Sequence, residues 1–408
     1  MNIAVDLPPF RQALRLAEIE VSEILAITAE AGRRKAAGRP VIVLGTGEPD
    51  FDTPDNIKEA AIAAIRAGDT KYTALDGTPA LKAAIARRTS TATGAEVTPS
   101  MVTVSTGAKQ VIFNAMMATV NPGDEVIVAT PYWTSYSDII RIAGATPIEV
   151  PCHGANGFLL RADALKAALS ERTAWLFLNA PSNPSGASYD AESLGAILDV
   201  LADHPRCWLL FDEIYEHIAY GGAHVNPYAL KHSMAARTLL VNGVSKAYAM
   251  TGWRIGYGIG DPRLIKAMAV IQSQSTSCPS SVSQAAALEA LSGTQEFLQT
   301  RRDSFRDRRD FCLQALESIE GIDCIAPDGA FYLFASCAGL IGRRMPQGDM
   351  LTDDRHFARW LLDEVDVAVI PGSAFGLSPY FRISYATSME ELREAMSRIQ
   401  NACARLTA

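Results

Sequence analysis

Trp208-Leu209-Leu210-Phe211-Asp212-Glu213-Ile214-Tyr215 is the stretch that decides the fold. Four large apolar residues without alternation predict a strand covered on both faces, as in a parallel sheet between helical layers. The polar residues that follow then lie at its carboxyl end. Working outward, similar short runs occur at residues 101–104, 125–128, 174–178, 207–211 and 238–241, separated by longer helical patterns. That alternation predicts an α/β layered architecture with a mostly parallel sheet. Gly252, Gly256, Gly258 and Gly260 punctuate the next segment, and helices are expected over 263–270, over 284–291 and from about Phe297. Strand patterns at 331–335, 367–370 and 381–385 then predict a smaller α+β domain, with the boundary near residue 295. A helical pattern at 17–35 precedes a turn-rich loop at 45–54. The expected division is an N-terminal arm contributing to the small domain (1–50), a large domain (51–295) and a C-terminal small domain (296–408).

Composition narrows the function classes. The 408 residues are 48% hydrophobic and 20% charged, enough for a large core and far from a disordered balance. A net charge of −8 repels a phosphate backbone, so no nucleic-acid partner is expected. The basic cluster Arg301, Arg302, Arg306, Arg308 and Arg309 is interleaved with Asp303, Asp307 and Asp310, which predicts a solvated helix face. No apolar run approaches the roughly 20 residues that span a bilayer, and Asp6 with Pro8-Pro9 stands where a signal peptide needs apolar residues. A cytoplasmic protein without a membrane partner is the expectation. Seven cysteines, an odd number without a C-x-x-C pair, are expected as reduced thiols. Six histidines form no H-x-x-x-H or H-E-x-x-H pattern, so no metal is expected.

Three strand ends carry the chemistry. The first run ends in Asn179 to Gly186, the second in Asp212 and Tyr215, the third in Asn242-Gly243-Val244-Ser245-Lys246. Ligands of open α/β sheets bind at such ends. Asp212, after four large apolar residues, is costly to desolvate without a cation or several donors. Lys246 has no acidic neighbour in sequence, and a desolvated amine becomes a nucleophile for carbonyls. A Schiff-base lysine together with a carboxylate for a protonated ring nitrogen is what pyridoxal phosphate requires. Taken singly, each residue has a simpler role: Asp212 as a helix cap, Asn183-Pro184 as a turn, Trp133 as core, Arg382 as an ion-pair member.

With these residues stand Leu44 to Phe51, Lys71-Tyr72, Gly107-Ala108-Lys109-Gln110, Pro131-Tyr132-Trp133, Ser245-Lys246, Thr251 to Tyr257, Gly329-Ala330-Phe331-Tyr332, Pro371-Gly372 and Phe381 to Tyr385. In this order, over nearly the whole chain, they resemble the class I (fold type I) pyridoxal-phosphate aminotransferases, most closely the bacterial aspartate aminotransferase subgroup. The resemblance implies a seven-stranded sheet, a homodimer with shared active sites, and ping-pong transfer of an amino group from L-aspartate to 2-oxoglutarate, giving oxaloacetate and L-glutamate. It implies that Lys246 holds the cofactor as a Schiff base and Asp212 pairs with its ring nitrogen. Tyr215 and Asn183 would bind the phenolic oxygen O3′, and Trp133 would stack on the ring. The amides around Gly107, Ala108 and Lys109, with Ser245 and Arg254, would hold the phosphate, and Tyr72 would reach it from the second subunit. Arg382 would clamp the substrate α-carboxylate, helped by Asn183, Trp133 and the Gly47 amide, while Lys109 would reach the distal carboxylate.

Two positions depart from the family pattern. Gly243 stands where many relatives carry Ser or Thr for the phosphate, leaving Ser245 as a substitute, and Glu20-Val21-Ser22-Glu23-Ile24 stands where the subgroup often reads Lys-Pro-Ser-x-Thr. Glu20, if it faces the pocket, should disfavour large anions such as prephenate. The alternatives are an aromatic or broad-specificity aminotransferase, prephenate included, and a pyridoxal-phosphate β-lyase. From another class, Gly256-Tyr257-Gly258-Ile259-Gly260 raises a dinucleotide-binding dehydrogenase, although Asp261-Pro262 stands where the third glycine of G-x-G-x-x-G belongs. Gly243-x-Ser245-x-Ala247 misses the nucleophile-elbow pattern at its last position.

Overall fold

The computed structural model describes residues 10–222 and 224–407; Asp6 and Pro8-Pro9, weighed above against a signal peptide, lie outside them. In chain order the strands are β1 (Ile42–Val43), β2 (Val102–Ser105), β3 (Glu125–Thr130), β4 (Thr146–Pro151), β5 (Thr173–Asn179), β6 (Trp208–Asp212) and β7 (Thr238–Gly243). They continue with β8 (Gly256–Ile259), β9 (Asp323–Cys324), β10 (Tyr332–Ser336), β11 (Val367–Ala368), β12 (Ile370–Pro371) and β13 (Tyr380–Ser384). The main sheet has seven strands in the order β2-β8-β7-β6-β5-β3-β4. Only β8 runs antiparallel to its neighbours.

The unalternating runs are explained by burial on both faces. Trp175 and Phe177 of β5 pack into one core cluster, while Leu176 and Leu178 pack into another on the opposite side. Each fully buried side chain of this size contributes about 1.5–3 kcal/mol relative to exposure. The second sheet has the order β12-β13-β10-β9 and is antiparallel. Helices Glu296–Glu317, Asp354–Val365 and Met389–Cys403 accompany it.

Beginning and end of the chain are joined. β1 pairs in parallel with β11, and Arg34 reaches the Leu362 carbonyl at 3.1 Å and Asp363 at 2.6 Å. β1 and β11 make a separate two-stranded sheet, and the segment that leads from β1 to the helix Asp55–Arg66 carries Gly47.

Three expectations are corrected, and one strand that the sequence patterns do not mark is added. The first helix is Glu23–Ala36, with Ser22 at its N-cap in a non-helical conformation; residues 17–22 are not α-helical. Residues 146–151 form the edge strand β4, whose exposed positions and two prolines hide the strand pattern. The glycines at 256 and 258 lie within β8 rather than in a loop or a dinucleotide fingerprint. A Cβ on Gly256 would run into the backbone of Ala108, so the strand is bare where a helix end rests on it. Finally, the Arg-rich helix is not simply a solvated face. Arg308 is buried and makes a two-bond pair with Asp50, at 2.7 and 3.0 Å, and both Arg301 and Arg308 lie over the Phe51 ring.

No helix among the described residues is long and apolar enough to cross a membrane.

Candidate active site

A cavity of about 410 Å³ opens at the carboxyl ends of β5, β6 and β7. It takes in Lys109, Trp133, Asn183, Asp212, Tyr215, Ser245, Lys246, Arg254 and Arg382, together with Gly47 and Ala108. The three strand ends singled out in the sequence therefore converge.

Asp212 ends β6 with 4% of its surface exposed. Its Oδ2 accepts from the Tyr136 hydroxyl at 2.8 Å and its Oδ1 from the Ile214 amide at 3.1 Å. Burial pushes its pKa up to about 6, with the Tyr136 and Ile214 hydrogen bonds acting in the opposite direction. Among the described residues no cation forms a salt bridge with it. Tyr136 is itself held between the edges of Trp133 and Phe177, at ring separations of 5.5 and 5.3 Å.

Lys246 follows β7, and its Nζ donates to the Gly47 carbonyl at 2.6 Å. Desolvation lowers its pKa to about 8, assisted by the positive charges of Arg382 and Arg254 and opposed by Glu48 and Asp212. Its amine is thus neutral in a substantial fraction of molecules near physiological pH. Gly47, expected to offer its amide, uses its carbonyl to hold this amine.

The cationic end of the cavity is built from backbone as well as side chains. Gly107 caps the helix Ala108–Thr119 with φ +89°, a left-handed value that glycine adopts freely, and a Cβ there would strike the Arg254 guanidinium. The first amides of that helix have no helical acceptor and lie at its positive pole, so together with Arg254 they present donors and positive charge suited to an anion. Gly243 is the last residue of β7, where a Cβ would meet the Ile255 carbonyl and Gly256 Cα at 3.0–3.1 Å. Ser245 lines the cavity instead.

Arg382 comes from β13 and is 1% exposed. Its Nη1 donates to Asn183 Oδ1 at 2.8 Å and its Nη2 to the Gly45 carbonyl at 2.6 Å, while Nε has no partner. Asn183 is fixed through its backbone N–H, which donates to Asn179 Oδ1 at 2.7 Å. Lys109 Nζ lies 4.8 Å from the Trp133 ring centre. Tyr72 is outside the cavity and 93% exposed. Glu20 is exposed and does not line the cavity; the helix Glu23–Ala36 presents Ile24, Leu25 and Thr28 there.

Three contributors escaped the sequence reading. Tyr136 lies three residues after Trp133, one helical turn on, and that spacing was the available signal. Tyr332 was quoted only as part of a motif, yet its hydroxyl meets that of Tyr215 at 2.9 Å. Glu48, bonded to Thr251, gave no signal beyond its position next to Gly47. Among the described residues no group of three or more His, Cys, Asp or Glu could hold a metal ion.

A desolvated amine and a buried carboxylate at the strand ends of a mostly parallel sheet, with a buried arginine closing the cavity, define an enzyme for carbonyl and carboxylate compounds. Residues 39–399 match the family described as aminotransferase class I and II, and the chain belongs to that family. It has the fold type I architecture and acts as an aminotransferase on amino acids and 2-oxo acids. The chain is 56% identical over 408 residues, the whole of both proteins, to an aspartate aminotransferase of Rhizobium meliloti. It is 52% identical over 393 residues, 96% of this chain and 98% of the other, to an aspartate/prephenate aminotransferase of Cereibacter sphaeroides. The crystal structure of the aspartate aminotransferase from Rhizobium meliloti superposes with a TM-score of 0.95 at 56% identity, covering 98% of this chain and 100% of that one. An aspartate aminotransferase from Thermus thermophilus with maleate gives 0.90 at 39% identity, covering 97% and 100%.

Proposed function

We propose that the protein is a pyridoxal-phosphate-dependent aspartate aminotransferase that passes the amino group of L-aspartate to 2-oxoglutarate. The observation that carries the substrate is a pair of cations, Arg382 and Lys109, lining one cavity with Lys246. Two cations suit a dicarboxylate, and the Thermus relative is described with maleate, which is one.

The residues fit the cofactor. Asp212 is a buried carboxylate without a cationic partner among the described residues, as a protonated ring nitrogen would need. The helix end at Ala108, with Arg254, offers donors for a phosphate, and Ser245 adds a hydroxyl in place of a side chain at Gly243. Trp133 would cover the ring; Asn183 and Tyr215 would bind its phenolic oxygen. When bound, pyridoxal phosphate supplies an aldehyde for amine exchange and a cationic ring that accepts electrons.

The chain's own residues do the rest. Lys246 Nζ would hold the cofactor aldehyde and, as a free amine, would take the substrate Cα proton, which its lowered pKa favours. Asp212 would face the ring nitrogen and favour its protonated form. Arg382 fixes the α-carboxylate by a two-bond fork with Asn183 beside it, and Lys109 holds the distal carboxylate.

We read residues 51–295 as the part that holds the cofactor, and 1–50 with 296–408 as the part that brings Arg382 to the substrate. The full exposure of Tyr72, with that of Phe10 and Leu14, supports a homodimer in which Tyr72 completes a neighbouring site. Seven unbridged cysteines support a reducing, cytoplasmic setting. A second reading, prephenate as an additional substrate, is favoured by the Cereibacter relative and by Glu20 lying outside the cavity.

The test is a steady-state comparison of aspartate, phenylalanine and prephenate as substrates, repeated for Lys109→Ala. Aspartate should lose at least tenfold more kcat/KM than phenylalanine; equal losses would remove the dicarboxylate assignment.

A further inference from the structure

Tyr332 occupies a junction that the roles above leave unused. It starts β10 and is 1% exposed. Its ring lies under the Arg382 guanidinium, 4.4 Å from centre to Cζ, and its hydroxyl meets the Tyr215 hydroxyl at 2.9 Å. The hydroxyl also packs 2.6 Å from where a Cβ on Gly47 would stand, and among the described residues Tyr215 is its one hydrogen-bond partner.

Each phenol has one proton to give, and a buried hydroxyl needs a partner. Were Tyr215 the donor of the pair, the Tyr332 proton would have no acceptor among the described residues. With Tyr332 as donor, both hydroxyls are served, because Tyr215 faces the cavity and can give its own proton there. We propose that Tyr332 is a positioning residue that donates to the Tyr215 hydroxyl oxygen and thereby aims the Tyr215 proton into the cavity. Accepting a hydrogen bond also polarises the Tyr215 O–H and makes it a stronger donor. Since the same ring supports Arg382, one side chain aligns the group that takes the substrate carboxylate and the group that faces the cofactor oxygen.

This rests on the reading of Tyr215 as the donor to the phenolic oxygen of pyridoxal phosphate, where donation favours the deprotonated oxygen. The test is a double-mutant cycle on the holoenzyme with Tyr332→Phe, Tyr215→Phe and the pair, reading the pH midpoint of the visible absorbance band, kcat and KM for aspartate, and maleate affinity. Phenylalanine at 332 keeps the ring under Arg382 and removes one oxygen. The expected result is a midpoint raised by about half to one pH unit, kcat lowered about three- to tenfold, KM and maleate affinity within about twofold, and a double variant no worse than Tyr215→Phe. Additive effects in the double variant, or a change in KM or melting temperature with the midpoint in place, would overturn the role of Tyr332. A colourless unsubstituted protein after incubation with pyridoxal phosphate would instead overturn the cofactor reading on which both tyrosines depend.

Discussion

Removing the hydroxyl of Tyr136 isolates the one neutral side-chain hydrogen bond made to Asp212. In the cofactor-free protein this bond, 2.8 Å long and buried, favours the ionised carboxylate and opposes the burial that lifts its pKa to about 6. A hydrogen bond to a charged group is worth roughly 1.5–3 kcal/mol, so Tyr136→Phe should raise that pKa by about one to two units, to about 7–8. The sign follows from linkage. Because the folded pKa lies above the ordinary carboxylate value, the native state is destabilised once Asp212 ionises, and that penalty is absent where it stays protonated. Parent and variant therefore differ little in this respect at pH 5 and diverge as pH rises through 6 to 8. Unfolding entropy of about 2.1 cal/mol/K per residue over 408 residues gives roughly 0.9 kcal/mol per degree, hence a gap of about 2–3.5 °C at pH 9. Melting of the cofactor-free proteins at pH 5, 7 and 9 measures it. A gap of the same size at every pH would refute the argument, since it would show that the hydroxyl matters for packing and not for the charge on Asp212.

The Lys246 amine, with its pKa lowered to about 8, should capture pyridoxal phosphate at a rate that climbs about tenfold per pH unit below 8 and levels off above, as stopped-flow absorbance of the stripped protein would record; Lys246→Ala should show no capture and no transamination. Replacing Arg382 by Ala removes a buried fork, so kcat/KM should fall about 100- to 1000-fold for every amino donor alike in steady-state assays. Arg308→Ala cuts the pair with Asp50, which is partly exposed, and should cost about 1–2 kcal/mol of stability; hydrogen exchange over residues 45–54 should quicken, because that pair ties down the loop carrying Gly47.

Much of the architecture was legible because its signals are local. The five apolar runs mark five of the seven strands of the main sheet, and the polar residues closing three of them mark the cavity. What escaped depends on contacts distant in sequence. β8 reads as a string of glycines because the Ala108 helix end occupies the space of the missing side chain, a fact written in residue 108 and not in residue 256. β4 is an edge strand, and one covered face is too little to impose a pattern on its prolines and polar residues. Arg308 looks like one more surface cation until Asp50 and Phe51, some 250 positions earlier, come to meet it. Tyr136 and Tyr332 are aromatic residues in apolar surroundings, and only the folded structure reveals that their hydroxyls meet Asp212 and Tyr215.

The arginine of β13 bonds to residues 337 and 199 positions away in the chain. No contiguous fragment that stops short of these partners can contain the pocket, and a newly made polypeptide lacks it until nearly its last segment has emerged. The yellow colour expected of the loaded protein would therefore act as a gauge of complete maturation, dark only in molecules whose two extremities have already met.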